Sequence, residues 1–184
     1  MKKPIKLIAI VGMPGAGKTV AADFFRKNGL SVLRFGDQTD IGLKELGKEI
    51  NEKNERWYRE NIRQELGMAA MAIKIEPRIL EHAKKNNLII LDGLYSWEEY
   101  LYLIKKFPNL KLLCIYAPPH IRHKRLKERI IRSLTDSEAK TRDITQITNL
   151  NTGGPIAIAD YLIINAFNLE KYTQALEKFY QKHK

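Results

Sequence analysis

The sequence holds a single cysteine, Cys114, in 184 residues. No disulfide can form within the chain, which excludes the stapled secreted scaffolds and makes a cytoplasmic location the expectation. Long apolar runs are missing as well. Nothing approaches the ~20 consecutive apolar residues of a membrane helix, so no membrane association is expected. The start, Met1–Val11, sets lysines ahead of apolar residues as a secretory leader does. Its apolar stretch Leu7–Val11 is too short for one, and Gly-Met-Pro-Gly follows at once. His82, His120, His123 and His183 show no metal-ligand spacing with Cys114, so no zinc site is assigned. Low-complexity tracts, internal repeats and a convincing linker are absent too, and residues 1–184 read as one domain.

What is present is an ordinary globular composition, 44% hydrophobic, enough to build a core in a chain of this length. The formal net charge of +11 suits an anionic partner, nucleotide phosphate as well as nucleic acid. Five short apolar, β-branched-rich segments predict strands: 6–11, 31–35, 88–92, 111–117 and 161–164. Helical character fills 18–28, 39–50, 55–85 with Pro77 as a kink or break, 96–106, 120–133, 136–149 and 169–182. Strands alternating with helices imply an α/β fold with a parallel sheet covered on both faces.

Between the first strand and the first helix lies Gly12-Met-Pro-Gly-Ala-Gly-Lys18-Thr19, which satisfies G-x-x-x-x-G-K-(S/T). Glycines allow backbone N–H groups to turn around phosphate oxygens, and the following helix points its positive end at the same anion. Lys18 is expected to reach the β- and γ-phosphates of ATP, and Thr19 to ligate Mg²⁺. Gly12, Pro14, Gly15, Ala16, Gly17, Lys18, Thr19 and Val20, together with Arg125 further along the chain, form the candidate nucleotide-binding set. A glycine-rich connection without function is the competing reading, and the strand and helix on either side argue against it.

Ligands of parallel sheets sit at the carboxyl ends of the strands. Asp92-Gly93 ends the third strand, which makes Asp92 a candidate Mg²⁺ ligand or simply a turn aspartate. Arg34-Phe-Gly-Asp37 ends the second. Asp37 is a candidate general base or metal contact, and Arg34 a candidate for an acceptor phosphate. Arg122, Arg125, Arg129 and Arg132, spaced 3, 4 and 3, would fall in one sector of a helix beside Leu126, Ile130 and Leu134. Arginines on a lid at about 120–150 would stabilise charge on a moving phosphoryl group, with Arg125 and Arg129 the chosen pair. A solvated basic face is the alternative. Arg56, Arg59 and Arg63 share another helical face, and Arg59 and Arg63 join Arg34, Asp37, Asp92 and Gly93 as the candidate acceptor site. Trp57, Tyr58, Trp97, Tyr100 and Tyr102 are read as packing residues, and Asn151-Thr-Gly-Gly-Pro155 as a turn or lid hinge.

With these residues in view, the chain resembles the P-loop nucleotide kinases, a group that includes adenylate kinase and dephospho-CoA kinase. Gly12-Met-Pro-Gly-Ala-Gly-Lys looks like the adenylate kinase loop, and Arg34-Phe-Gly-Asp37 resembles the Gly-Asp turn after that family's second strand. Thr19 directly after Lys18 departs from adenylate kinases and matches dephospho-CoA kinases. The stretch from Arg125-Leu-Lys-Glu-Arg129 through Arg142 and Gln146 is similar to the dephospho-CoA kinase lid, and Ala159-Asp160-Tyr-Leu-Ile-Ile-Asn165 to its last strand. The fullest similarity is to a largely uncharacterised, mainly archaeal family of kinase-like proteins, which shares Val-Gly-Met-Pro-Gly, Asp-Gly after the third strand, Ala-Pro-Pro before the lid and Ala-Asp-Tyr near the end. The resemblance implies strand order 2-3-1-4-5, a lid, and an acceptor-binding helical region at about 36–85.

The leading expectation is therefore an ATP- and Mg²⁺-dependent phosphotransferase acting on a nucleotide-like small molecule, either dephospho-CoA or a nucleoside monophosphate. A hydroxyl acceptor would use a base such as Asp37, and a phosphate acceptor would instead need arginines. The alternative is a nucleotide-binding switch with slow hydrolysis, made less attractive for GTP by the lack of Asn-Lys-x-Asp. A nucleic-acid-binding role is not expected, because no recognition module is present. Monomer and homo-oligomer are equally compatible with the sequence.

Overall fold

The computed structural model describes residues 5–184. The chain begins with β1 (Lys6–Val11), α1 (Lys18–Lys27), β2 (Ser31–Arg34), α2 (Asp37–Glu45), α3 (Glu52–Leu66), α4 (Ala70–His82) and β3 (Leu88–Asp92). It continues through α5 (Trp97–Lys106), β4 (Leu110–Tyr116), α6 (Pro119–Lys127), α7 (Asp136–Leu150), α8 (Gly153–Ala157), β5 (Tyr161–Ile164) and α9 (Leu169–His183). The strands form one parallel sheet in the order β2-β3-β1-β4-β5. This is the implied strand order.

Helices cover both faces, so the central strands are apolar on both sides rather than alternating. Leu7, Ala9, Val11, Ile89 and Leu91 pack in one layer with Ile75 and Ile79 of α4 and Leu103 of α5. Ile8, Ile10, Ile90, Leu113 and Ile115 face the other way, against Phe25 of α1 and Tyr172 and Leu176 of α9. Cys114 is buried within β4, among the apolar residues of the first layer.

Two helical readings need correction. The long segment 55–85 is two helices, and the break is at Gly67 rather than Pro77. Gly67 takes φ 75, a backbone conformation that favours glycine, where α3 ends, while Pro77 sits inside α4. The arginine helix expected over 120–133 stops at Lys127. The β-branched pair Ile130-Ile131 favours helix poorly. The chain instead turns back through Arg132 at φ 57, with Leu134 N–H donating to the Leu126 carbonyl at 3.2 Å. Ile130 and Ile131 are exposed, so the expected apolar stripe through Leu126 and Leu134 does not form.

Candidate active site

The loop Gly12–Thr19 connects β1 to α1 at the carboxyl end of the sheet, with Gly12, Gly15 and Gly17 all at positive φ. A side chain at Gly15 would put its Cβ 2.6 Å from the Arg122 carbonyl oxygen, so only glycine fits there. The loop carbonyls are engaged one by one. Arg122 Nη1 donates to Pro14 O at 3.0 Å, Asn165 Nδ2 to Ala16 O at 2.8 Å and Tyr172 Oη to Gly17 O at 2.9 Å. Among the described residues, the N–H groups of Gly15 and Gly17 have no hydrogen-bond partner. Held carbonyls and open N–H groups are what an anion-binding nest requires.

Lys18 Nζ donates to the carbonyls of Gly12 at 2.6 Å and Met13 at 3.1 Å and lies 5.7 Å from the Tyr95 ring centre. Burial pulls the ammonium down to about 8. Asp92 opposes that shift, and Arg142, Arg129 and Arg122 add to it. Asp92 ends β3, directly paired in register with Ile10 of β1 and Arg34 of β2. Burial raises its carboxyl above the ordinary range, and Arg34 and Lys18 pull it back. Thr19 is exposed at the mouth of the loop. One hydroxyl and one buried carboxylate are few protein ligands, and no cluster of three His, Cys, Asp or Glu occurs among the described residues. That donor set fits Mg²⁺ shared with phosphates and water, not a cation caged by protein.

The four arginines of the expected stripe part ways. Arg122 is buried and grips Asp143 through two 2.8 Å bonds while also donating to Ala117 O and Pro14 O. It is a clamp behind the phosphate loop rather than a lid residue. Arg125 Nη2 donates to Asn165 Oδ1 at 3.2 Å, and its Nη1 is buried without a partner among the described residues. A guanidinium atom left so beside the loop is available to a ligand oxygen. Arg129 and Arg132 lie on the exposed segment after α6.

Next to the loop opens a cleft of about 500 Å³ lined by Arg34, Gly36, Asp40, Glu55, Arg59, Arg63, Tyr95, Glu99, Arg132, Arg142 and Gln146, among others. Arg34, Arg59 and Arg63, singled out from sequence as acceptor residues, thus line the same cleft. Arg56 does not join them; it is exposed and pairs with Glu60 at 3.6 Å. Asp37 also falls outside the lining. As the first residue of α2 it is turned toward Arg78 of α4, 3.6 Å away, and the helical phase sends Thr39 and Asp40 to the cleft in its place. Gly93 takes φ 95 and lets the Tyr95 ring lie against it.

Several of these residues carried little signal in sequence. Glu99 completes a capping box with Ser96, accepting from Tyr95 N at 2.8 Å and Ser96 N at 3.1 Å. The pattern Ser96-x-x-Glu99 was readable, but its burial against the cleft was not. Burial lifts Glu99 to about 7 despite both N–H donors and Arg63. Asn165 follows β5 as Asp92 ends β3, so the strand-end logic would have found it. Arg142 comes from α7, far along the chain, and only the fold brings it to the cleft that Tyr95 also lines.

Comparison with known proteins gives this arrangement relatives. The AAA domain family matches residues 8–146. A UPF0200 protein of Pyrococcus abyssi is 32% identical over 96% of this chain and 96% of its own, and one of Methanocaldococcus jannaschii 31% identical over 96% and 89%. The chain belongs to the UPF0200 family. Among solved structures, TT1252 from Thermus thermophilus aligns with a TM-score of 0.69 at 18% identity, covering 99% of this chain and 100% of the other. A shikimate kinase from Bacteroides thetaiotaomicron aligns at 0.61 and 16% identity, covering 96% and 97%. At such identities the likeness establishes the P-loop kinase-like fold. Among the described residues, no helix is long and apolar enough to cross a membrane.

Proposed function

We propose that this UPF0200 chain is an ATP- and Mg²⁺-dependent phosphotransferase that moves a γ-phosphate onto a nucleotide-like small molecule. The observation that carries the reading is the join between two sites. Lys18, on a loop with held carbonyls and open N–H groups, lies 5.7 Å from the Tyr95 ring centre, and Tyr95 also lines the arginine-rich cleft. A hydrolytic switch needs a phosphate loop and no such second, arginine-lined cleft.

In this reading the loop N–H groups and Lys18 hold the triphosphate, and Thr19 and Asp92 hold Mg²⁺. When bound there, Mg²⁺ would supply neutralisation of the triphosphate's charge. Arg125 and Arg129 meet charge that grows on the transferring group, where fixed donors act most strongly. Arg34, Arg59 and Arg63 orient the acceptor. The kinase names of structural neighbours support the reaction class and leave the acceptor open.

The test is purified protein with ATP and MgCl₂ against nucleoside monophosphates, dephospho-CoA and nucleosides, with products identified by mass. Lys18→Ala should abolish transfer while the fold, followed by circular dichroism, persists. Transfer at an undiminished rate by a folded Lys18→Ala protein removes the assignment.

A further inference from the structure

We propose a second ligand site, a pocket between α2 and α3 that binds a small organic cation, its ammonium held by the Trp57 ring, the Tyr58 hydroxyl and the carboxylates of Glu45 and Glu65. The pocket has a volume of about 390 Å³, within the range of small-molecule sites, and Lys74 of α4 closes it. On α3, Trp57, Tyr58, Asn61, Ile62 and Glu65 recur at three and four residues and so share one face. Glu55, Arg59 and Arg63, at the same kind of spacing, share another, which belongs to the arginine-lined cleft. The two cavities have no lining residue in common.

Tyr58 is 8% exposed, and its hydroxyl lies over Gly42, where an ideal Cβ would collide with both Oη and Cζ. Only glycine leaves room for that hydroxyl. It reaches the pocket wall that Gly42 forms, with no hydrogen-bond partner among the described residues. A phenol so deeply buried ordinarily has one, so the free oxygen is an acceptor aimed at a ligand. Burial raises the hydroxyl above its ordinary pKa, and Glu45 and Glu65, which line the same pocket, add to the rise. Trp57, read from sequence as a packing residue, is 42% exposed. Lys48 Nζ lies 4.8 Å from its ring centre, which shows that the ring accepts an ammonium. Among the described residues, Lys74 is the one cation lining the pocket, against two carboxylates, in a chain whose net charge is +11. A local excess of negative charge beside an aromatic face disfavours phosphates and favours a cation, and Leu46 and Ile62 offer apolar surface to its carbon skeleton.

The experiment is calorimetry of the full chain at low ionic strength with choline and cadaverine, and with their neutral counterparts dimethylbutanol and pentanediol. Tryptophan emission gives a second readout. Trp57 and Trp97 are the two tryptophans, and Trp97 is packed on Tyr100 with ring centres 5.2 Å apart. At least one of the two ammonium compounds should bind with a Kd of about 1 mM or below and change the emission, while its neutral counterpart does neither. Trp57→Leu should weaken that binding by about 2- to 30-fold, the range of a cation over an aromatic ring, and Trp57→Phe should recover part of the loss. Glu45 and Glu65 are exposed, so replacing them does not threaten the fold, and the double variant Glu45→Gln, Glu65→Gln should weaken binding at least about 2-fold. Lys48→Gln should tighten it, because the ammonium beside the Trp57 ring no longer competes. Failure of both ammonium compounds to bind overturns the inference. So do charged and neutral compounds that bind alike, affinities unmoved by Trp57→Leu and by the double glutamate variant, or weaker binding to Lys48→Gln.

Discussion

Arg122 offers the sharpest test of how the phosphate loop is held. Its guanidinium is nearly inaccessible, with 5% of the side chain exposed, and makes four bonds: two at 2.8 Å to Asp143, one at 3.0 Å to Pro14 O and one at 3.1 Å to Ala117 O. Arg122→Ala removes all four and leaves Asp143 with His123 as its remaining partner, at 2.9 Å. Breaking a buried pair from one side costs about 3–5 kcal/mol, because the surviving charge is left uncompensated. At roughly 2–4 °C per kcal/mol for a chain of this size, Tm should fall by about 6–20 °C. Nucleotide affinity should fall too, since Pro14 O loses its anchor. Thermal and urea unfolding of Arg122→Ala, Asp143→Ala and the double variant measure the coupling. Acid unfolding adds a second reading. Burial would raise Asp143, but the bonds from Arg122 and His123 outweigh it and hold the carboxyl below its ordinary value. Its stabilisation is therefore full above the unfolded value near 3.9 and is lost as pH falls through the lower folded value. Arg122→Ala should lose that acid-side dependence. A Tm within about 2 °C of the native protein, with ATP affinity unchanged, would refute the clamp and return Arg122 to the solvated face first considered.

Gly15→Ala puts a Cβ at a φ of 78 and 2.6 Å from a backbone oxygen, so it should cost roughly 1–3 kcal/mol and at least tenfold in affinity for an ATP analogue, measured by urea unfolding and calorimetry. Arg125→Ala and Arg129→Ala should lower kcat more than they weaken ATP binding, because the charge they meet develops in the transition state; equal kcat in both variants would dismiss them. For Lys18, lowered to about 8, affinity for the ATP analogue should hold below that pH and decline above it as the ammonium is lost, and Lys18→Met should flatten the profile. The sign for stability is opposite. Between about 8 and the unfolded value near 10.4 the unfolded chain binds more protons, so this residue makes the nucleotide-free protein more stable as pH rises.

How much of this was legible in the sequence follows from the range of the forces involved. Local patterns gave the strands, because a parallel strand buried on both faces reads as an apolar run whatever its partners. The loop from Gly12 to Thr19 was equally readable, since positive φ, the helix start and phosphate geometry are set by neighbours in the chain. Strand-end position put Asp92 and Arg34 at the same edge of the sheet, through the rule that parallel strands share one carboxyl end, and the structure sets them in register. Spacing alone misjudged the residues after α6. Four arginines at 3, 4 and 3 make one face only if the helix continues, and the turn at Arg132 ends that geometry. Helical phase at the start of α2 likewise decided that Asp40 rather than Asp37 lines the cleft. Arg142, Tyr95 and Glu99 come from elements far apart in the chain, and no local rule says which loops and helix faces will meet. The sequence by itself determined that this chain folds as a parallel α/β sheet with a phosphate loop. Only the tertiary structure decided which arginine supports the loop and which ones face the cleft, because a guanidinium's role depends on what lies within a few ångströms of it.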